Sequence, residues 1–89
     1  MTSEIRVAIA DDHPLLLKGL RQVVEADSNM KVVAEAGDGE VLLSQIEQRR
    51  PQIAIVDIDL PKRDGFAVVR EINKRKIPVD VAFLTIHNE

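Results

Sequence analysis

The sequence predicts an open α/β domain built on a parallel sheet, and three observations carry that prediction. Apolar patterns of strand period and helix period alternate strictly along the chain. The run Ile53-Ala54-Ile55-Val56 is continuous and rich in β-branched residues, and it is bounded by Pro51 before and by Pro61 and Gly65 after, as for a strand covered on both faces. That run ends on Asp57, with Asp59 two residues further on, and in open α/β sheets ligands bind just beyond the carboxyl ends of the strands.

Each element has its own local signature. Ile5, Val7 and Ile9 alternate with Arg6 and Ala8 and give a first strand that stops at Asp11-Asp12-His13-Pro14. Pro14 suits the first turn of a helix, where a missing N–H costs nothing. Leu16, Leu17, Leu20, Val23 and Val24 then form the apolar stripe of a first helix expected to reach about Asp27. Met30 to Ala36 is the second strand, beside the first, and Gly37-Asp38-Gly39 breaks the chain. Asp38 caps a second helix whose stripe is Val41, Leu42, Leu43 and Ile46 and whose basic end, Arg49-Arg50, complements the helix dipole. After the central strand, Asp64-Gly65 opens a third helix with Phe66, Val69 and Ile72 on one face, closed by Lys74-Arg75-Lys76 before Pro78. Val79 to Leu84 is a fourth strand, with Thr85 at its carboxyl end.

Composition narrows the function classes. At 89 residues, 45% hydrophobic and 30% charged, residues 1–89 make one small domain with a modest core. There is no cysteine, hence no disulfide framework or thiolate metal site, and the apolar runs are too short for a membrane span or a signal-peptide core. Together these features place the expected location in the cytoplasm. A net charge of -3, with Phe66 and Phe83 as the only aromatics, argues against direct nucleic-acid binding.

With right-handed crossovers, three separate stretches converge at one edge of such a sheet: Asp11 and Asp12, then Asp57, then Thr85. Carboxylates gathered this closely need a counter-charge, and their hard oxygens suit Mg2+, which prepares a site for a phosphoryl group. A carboxylate beside the metal can act as nucleophile and form an aspartyl phosphate, and Asp57, at the tip of the most buried strand, is best placed for it. The hydroxyl of Thr85 can then hydrogen-bond the new phosphoryl oxygens and turn charge into movement.

Asp11-Asp12 after the first strand, Val56-Asp57-Ile58-Asp59-Leu60-Pro61, Asp64-Gly65 and Leu84-Thr85, in this order on alternating elements, resemble the receiver domain of two-component response regulators. The resemblance covers essentially the whole chain. It implies a flavodoxin-like (CheY-like) doubly wound sheet and phosphorylation of Asp57 by a sensor histidine kinase. It further implies Mg2+ at Asp12 and Asp57, with Asp11 helping through water and the main-chain carbonyl of Asp59 as a further ligand, and Thr85 as the switch hydroxyl. The opening Ala10-Asp11-Asp12-His13-Pro14 is also similar to receivers joined to LuxR/NarL-type helix-turn-helix domains, which implies transcription control with DNA bound by an effector domain outside this chain.

A complete receiver has five strands and five helices, with a lysine at the end of the fifth strand. This sequence reads as a piece that stops after the fourth strand and lacks the fourth helix, the fifth strand and the fifth helix. None of Lys62, Lys74 and Lys76 takes the place of that lysine. An uncovered fourth strand then predicts a homodimer or strand-exchanged oligomer unless a partner covers it.

Other readings stay open. Asp38 and Asp64 read as helix caps, His13 as a turn residue rather than a ligand, and the basic clusters as solvated element ends. His87 supports no role. The Asp57-Ile58-Asp59 spacing is also similar to the signature of haloacid-dehalogenase phosphatases, with Asp59 as general acid, although that signature belongs to a first strand. The third possibility is an interaction fragment without activity. The phosphoacceptor module, which modifies itself rather than turning over a substrate, is favoured.

Overall fold

The computed structural model describes residues 4–84. Four strands, β1 (Ile5–Ala10), β2 (Met30–Ala36), β3 (Ile53–Asp57) and β4 (Asp80–Leu84), alternate with three helices, α1 (Pro14–Glu25), α2 (Gly39–Arg49) and α3 (Gly65–Arg75). The sheet is parallel throughout, in the order β2-β1-β3-β4. The chain winds outward from β1 to β2, then crosses back to β3 on the other side of β1. Adjacent β1 and β3 therefore flank the point where the winding reverses, the place at which this class of sheet opens a crevice at its carboxyl ends. Among the described residues β4 pairs only with β3.

Strand alternation sorts side chains into two cores. Ala8, Ala10, Ala34, Ala36, Ala54 and Val56 point to one face and pack with Leu42, Leu43, Ile46, Val68 and Ile72 of α2 and α3. The small alanines let two helices approach the sheet closely. Val7, Ile9 and Val32 point to the other face, where they meet Val24, Leu17 and Leu20 of α1. β1 is thus buried on both sides, which is why its apolar pattern is nearly continuous from Val7 to Ala10.

The structure corrects several helix assignments. α1 ends at Glu25 rather than Asp27, because the N–H groups of Ala26 and Asp27 bond back to the carbonyls of Gln22 and Val24 in a closing turn. Val23 is 73% exposed and Leu16 is also exposed, so Leu17, Leu20 and Val24 make the buried stripe of α1. On α2, Val41 is exposed while Leu42, Leu43 and Ile46 are buried. On α3 the buried face is Gly65, Val68 and Ile72, one position away from the expected Phe66 and Val69. Phe66 lies outside and packs against Phe83 of β4, with ring centroids 5.2 Å apart.

Caps follow the sequence. Asp38 Oδ1 accepts the Val41 N–H and Asp64 Oδ1 accepts the Ala67 N–H, each at 2.8 Å. The C-caps are not glycines: Arg50 and Lys76 adopt left-handed φ values of 49° and 55°. At the end of α2 the Arg6 guanidinium donates to the carbonyls of Arg49 and Arg50. No helix among the described residues is long and apolar enough to cross a membrane.

α2 and α3 are also linked by charge. Arg75 donates to Glu71 one turn earlier, at 3.0 Å, and to Glu47 on α2. The hydrogen bond from Arg75, reinforced by the charges of Arg75, Lys74 and Arg63 against a smaller opposing effect of burial, holds the Glu71 carboxyl below its ordinary value of 4.5. A carboxyl whose pKa is depressed by folding adds stability that is complete above its unfolded value and disappears as pH falls through its folded value. Glu71→Gln is therefore expected to lower the urea midpoint near pH 6, and the difference between the two proteins should shrink steadily as pH falls below 4.5.

Candidate functional site

Asp11 and Asp57 lie side by side because their strands do. Ala10 of β1 is in register with Val56 of β3, and each aspartate is the next residue along. Asp11 is 1% exposed, its amide N–H donating to the Ala36 carbonyl of β2 at 3.1 Å. Asp57 is half-buried and Asp12 is exposed. Ligand atoms from Asp11, Asp12, Asp57 and His13 all fall within 4.8 Å of one another.

His13 enters this group through backbone geometry. It occupies the N-cap position of α1 in extended conformation (φ -105°, ψ 109°) but makes no side-chain capping bond. Its N–H donates to Asp11 Oδ1 at 2.8 Å, an Asx-type turn that fixes the residue, while Pro14 begins the helix. The ring is thereby directed back over the strand ends, with Nδ1 2.7 Å from Asp11 Oδ1 and 3.0 Å from Asp12 Oδ1. The hydrogen bond to Asp11, then the charge of Asp12, with smaller contributions from the charges of Asp11 and Asp57, raises the His13 pKa above its ordinary value of 6.5. The turn read at His13 from the sequence exists, and it also brings the imidazole beside the acids. The signal for this was the Asp11-Asp12-His13-Pro14 order, in which proline blocks any earlier start of the helix.

The turn after β3 is built around Asp57. The Asp59 N–H donates to Asp57 Oδ1 at 3.1 Å, whereas the Asp59 carboxylate is exposed and outside the four-residue group. Leu60, 4% exposed, plugs back into the α2–α3 core and anchors the loop. Gly65 brings the start of α3 against the end of β3: its N–H donates to the Ile58 carbonyl at 2.8 Å, and a Cβ there would lie 2.8 Å from the Phe83 ring and 3.2 Å from the Asp57 carbonyl oxygen. On the far side, Asp57 is in register with Leu84 of β4. Thr85, the residue after Leu84, and His87 lie outside the described residues.

This donor set can hold a hard divalent cation. It offers three carboxylates, one of them almost fully buried, and among the described residues the cationic side chain paired with Asp11 and Asp12 is His13 rather than a lysine or arginine. The separate groove of about 350 Å³ between α2 and α3, lined by Glu47, Arg63 and Arg75 among others, contains none of these acids and is crossed by the ion pairs described above.

Comparison with known proteins agrees with the geometry. The chain is 34% identical over 82 residues to the transcriptional regulatory protein YxjL of Bacillus subtilis, a match covering 92% of the chain and 38% of YxjL. It is 37% identical over 73 residues to a protein-glutamate methylesterase/protein-glutamine glutaminase of Syntrophomonas wolfei, covering 82% of the chain and 21% of that enzyme. The chain thus spans well under half the length of these curated relatives, and its counterpart is found in both a regulator and an enzyme. Among solved structures, the signal receiver domain of NarL from Mycobacterium tuberculosis superposes with a TM-score of 0.92 at 31% identity, covering 98% of this chain and 70% of that one. Residues 7–89 match the response regulator receiver domain, and the chain belongs to that family.

Proposed function

We propose that residues 1–89 form a phosphoacceptor module of a two-component system, with Asp57 as the residue that receives the phosphoryl group. The observation that carries this reading is the convergence of Asp11, Asp12 and Asp57 at the carboxyl ends of β1 and β3. Asp11, Asp12 and Asp57, with the main-chain carbonyl of Asp59, are the residues that would hold Mg2+. When bound, Mg2+ offsets the charge of the carboxylates and of the incoming phosphoryl oxygens.

The protein's own part is positioning. A free Asp57 oxygen attacks phosphorus in line, the bond from phosphorus to the donor breaks, and an aspartyl phosphate forms. The donor is a sensor histidine kinase carrying phosphohistidine, whose imidazole is the leaving group. The Asp59 N–H already holds Asp57 Oδ1, which fixes the carboxylate plane while the other oxygen reacts. Thr85 follows the residue paired with Asp57 in sequence, which supports its assignment as the hydroxyl that binds the new phosphoryl oxygens. The chain modifies itself and does not turn over a substrate.

The name of the YxjL relative supports a parent that regulates transcription, with DNA bound by an effector domain rather than by this acidic module. A cytoplasmic location and a homodimer or strand-exchanged oligomer complete the proposal. The phosphatase-like Asp57-Ile58-Asp59 spacing gains nothing from the geometry, since the Asp59 carboxylate is outside the acid group and Asp11 and Asp12 are inside it.

Intact mass after incubation with Mg2+ and acetyl phosphate tests the reading. The expected result is one phosphoryl adduct that requires Mg2+ and is absent in Asp57→Asn. An adduct that persists in Asp57→Asn, or steady release of phosphate from a phosphomonoester, would overturn it.

A further inference from the structure

We propose that the turn Pro61-Lys62-Arg63 is a strained latch held against the start of α2, and that Lys62 is a positioning residue which acts through this turn on Asp57 and Asp59. The inference rests on the reading of Asp57 as phosphoacceptor. It goes beyond that reading in giving a role to a residue outside the acid group.

Lys62 has an unusual backbone. Among the described residues three that are not glycine have positive φ. Arg50 and Lys76 are the C-caps of α2 and α3, an ordinary place for a left-handed residue. Lys62, at φ 67°, ends no helix. Instead the Arg63 N–H donates across it to the Pro61 carbonyl at 2.7 Å, which makes a γ-turn with positive φ at its centre, the rarer and more strained of the two kinds. Strain of this sort persists only where the surroundings enforce it.

The start of α2 supplies that enforcement. The Pro61 carbonyl also accepts the Gly39 N–H at 3.1 Å, so one lone pair serves the turn and the other serves the helix. The Arg63 carbonyl lies so close to Gly39 that a Cβ there would overlap it. Asp38 divides its carboxylate: Oδ1 caps α2 by accepting the Val41 N–H at 2.8 Å, and Oδ2 faces Lys62 Nζ at 3.8 Å. The lysine side chain is 61% exposed, so water screens this pair and the main-chain contacts are the stronger part of the latch.

The same loop carries the reacting group. At its β3 end the Asp59 N–H holds Asp57 Oδ1, Leu60 is buried beside Pro61, and the Gly65 N–H bonds the Ile58 carbonyl where α3 begins. A turn held under strain between Leu60 and α3 restricts the arrangements open to Asp57 and Asp59, which lowers stability and favours a preorganised site.

The test compares wild type, Lys62→Ala and Lys62→Gly in the whole chain. Alanine removes the ion pair and keeps the strained backbone, whereas glycine removes both because it adopts positive φ freely. The urea midpoint, the exchange rate of the Asp59 amide proton by NMR, and the rate of adduct formation from acetyl phosphate with Mg2+, per folded molecule, are measured. Lys62→Gly is expected to have the higher midpoint of the two variants, yet to exchange the Asp59 amide about fivefold faster or more and to form the adduct about threefold more slowly or less. A turn with only a structural role would move these together, the more stable variant exchanging no faster. A lower midpoint for Lys62→Gly than for Lys62→Ala, or equal Asp59 exchange in the two, would overturn the latch. Where wild type forms the adduct, equal adduct rates in the two variants overturn the positioning role as well. If wild type forms no Asp57 adduct while midpoint and exchange behave as expected, the latch on the Asp57–Asp59 turn stands and the phosphoacceptor reading falls.

Discussion

Gly39→Ala is expected to destabilise the folded chain by about 3 kcal/mol, at the upper end of what overpacking commonly costs. Gly39 has an ordinary φ, so the requirement is for space and not for backbone freedom. A Cβ at this position would lie 2.0 Å from the Arg63 carbonyl oxygen and 2.7 Å from the carbon behind it. Both are main-chain atoms, so no rotamer change relieves the clash. The contact exists because the loop after β3 leans on the start of α2: the Gly39 N–H donates to the Pro61 carbonyl at 3.1 Å, and Lys62 takes a left-handed φ of 67° to turn the chain there. Relief would have to come from moving that loop, and Asp57 and Asp59 are at its other end. Urea denaturation followed by circular dichroism should show the loss, with Gly37→Ala as control, since nothing lies within 4 Å of a Cβ at Gly37. If the cation site is read correctly, Gly39→Ala should also weaken Mg2+ binding in the fraction that remains folded, an effect absent from Gly37→Ala.

Ile46→Ala should cost about 2–5 kcal/mol, the range for deleting most of a large aliphatic side chain from a core that relaxes only in part. Ile46 is fully buried in the cluster that α2 shares with the strand alanines, Leu60 and Val68. Against the 5–15 kcal/mol that holds most domains together, such a loss is a large share of the total and should lower the thermal midpoint by roughly 10 °C or more. Val41→Ala, five residues earlier on the same helix, is expected to stay within about 0.5 kcal/mol because Val41 is 42% exposed. The pair separates the face of α2 seen in the structure from the broader stripe that the sequence alone implies. Similar losses at both positions would mean that α2 is rotated relative to the sheet.

The acids show how far local pattern reaches. Asp57 was legible because a short β-branched run between Pro51 and Pro61 reads as a strand whose first polar residue emerges at the tip, although Ile53 and Ile55 are only partly buried and the expected cover on both faces is incomplete. Asp11 and Asp12 were legible because the alternating apolar pattern of β1 stops there on acids and a proline. Asp38 and Asp64 were legible as caps because an N-cap carboxylate satisfies a helix N–H within its own turn, a purely local bond. Asp59 was only half legible. Its position in the loop followed from sequence, but whether its carboxylate or its amide faced Asp57 depended on the turn, and the amide does.

By itself, the sequence determined the order of strands and helices, the parallel class of the sheet, and which aspartates stand at strand ends, because hydrophobic period and chain punctuation act over a few residues at a time. Tertiary structure alone decided the rest: that Val68 rather than Val69 faces the core, that Phe66 meets Phe83 across the edge, that Gly39 makes room for Arg63, and that His13 joins the acids. Each of these depends on how a helix is rotated on the sheet or on which loop lies against which. Neighbouring apolar residues on a helix satisfy the same 3.6-residue pattern almost equally well, so only the packing partner can choose between them.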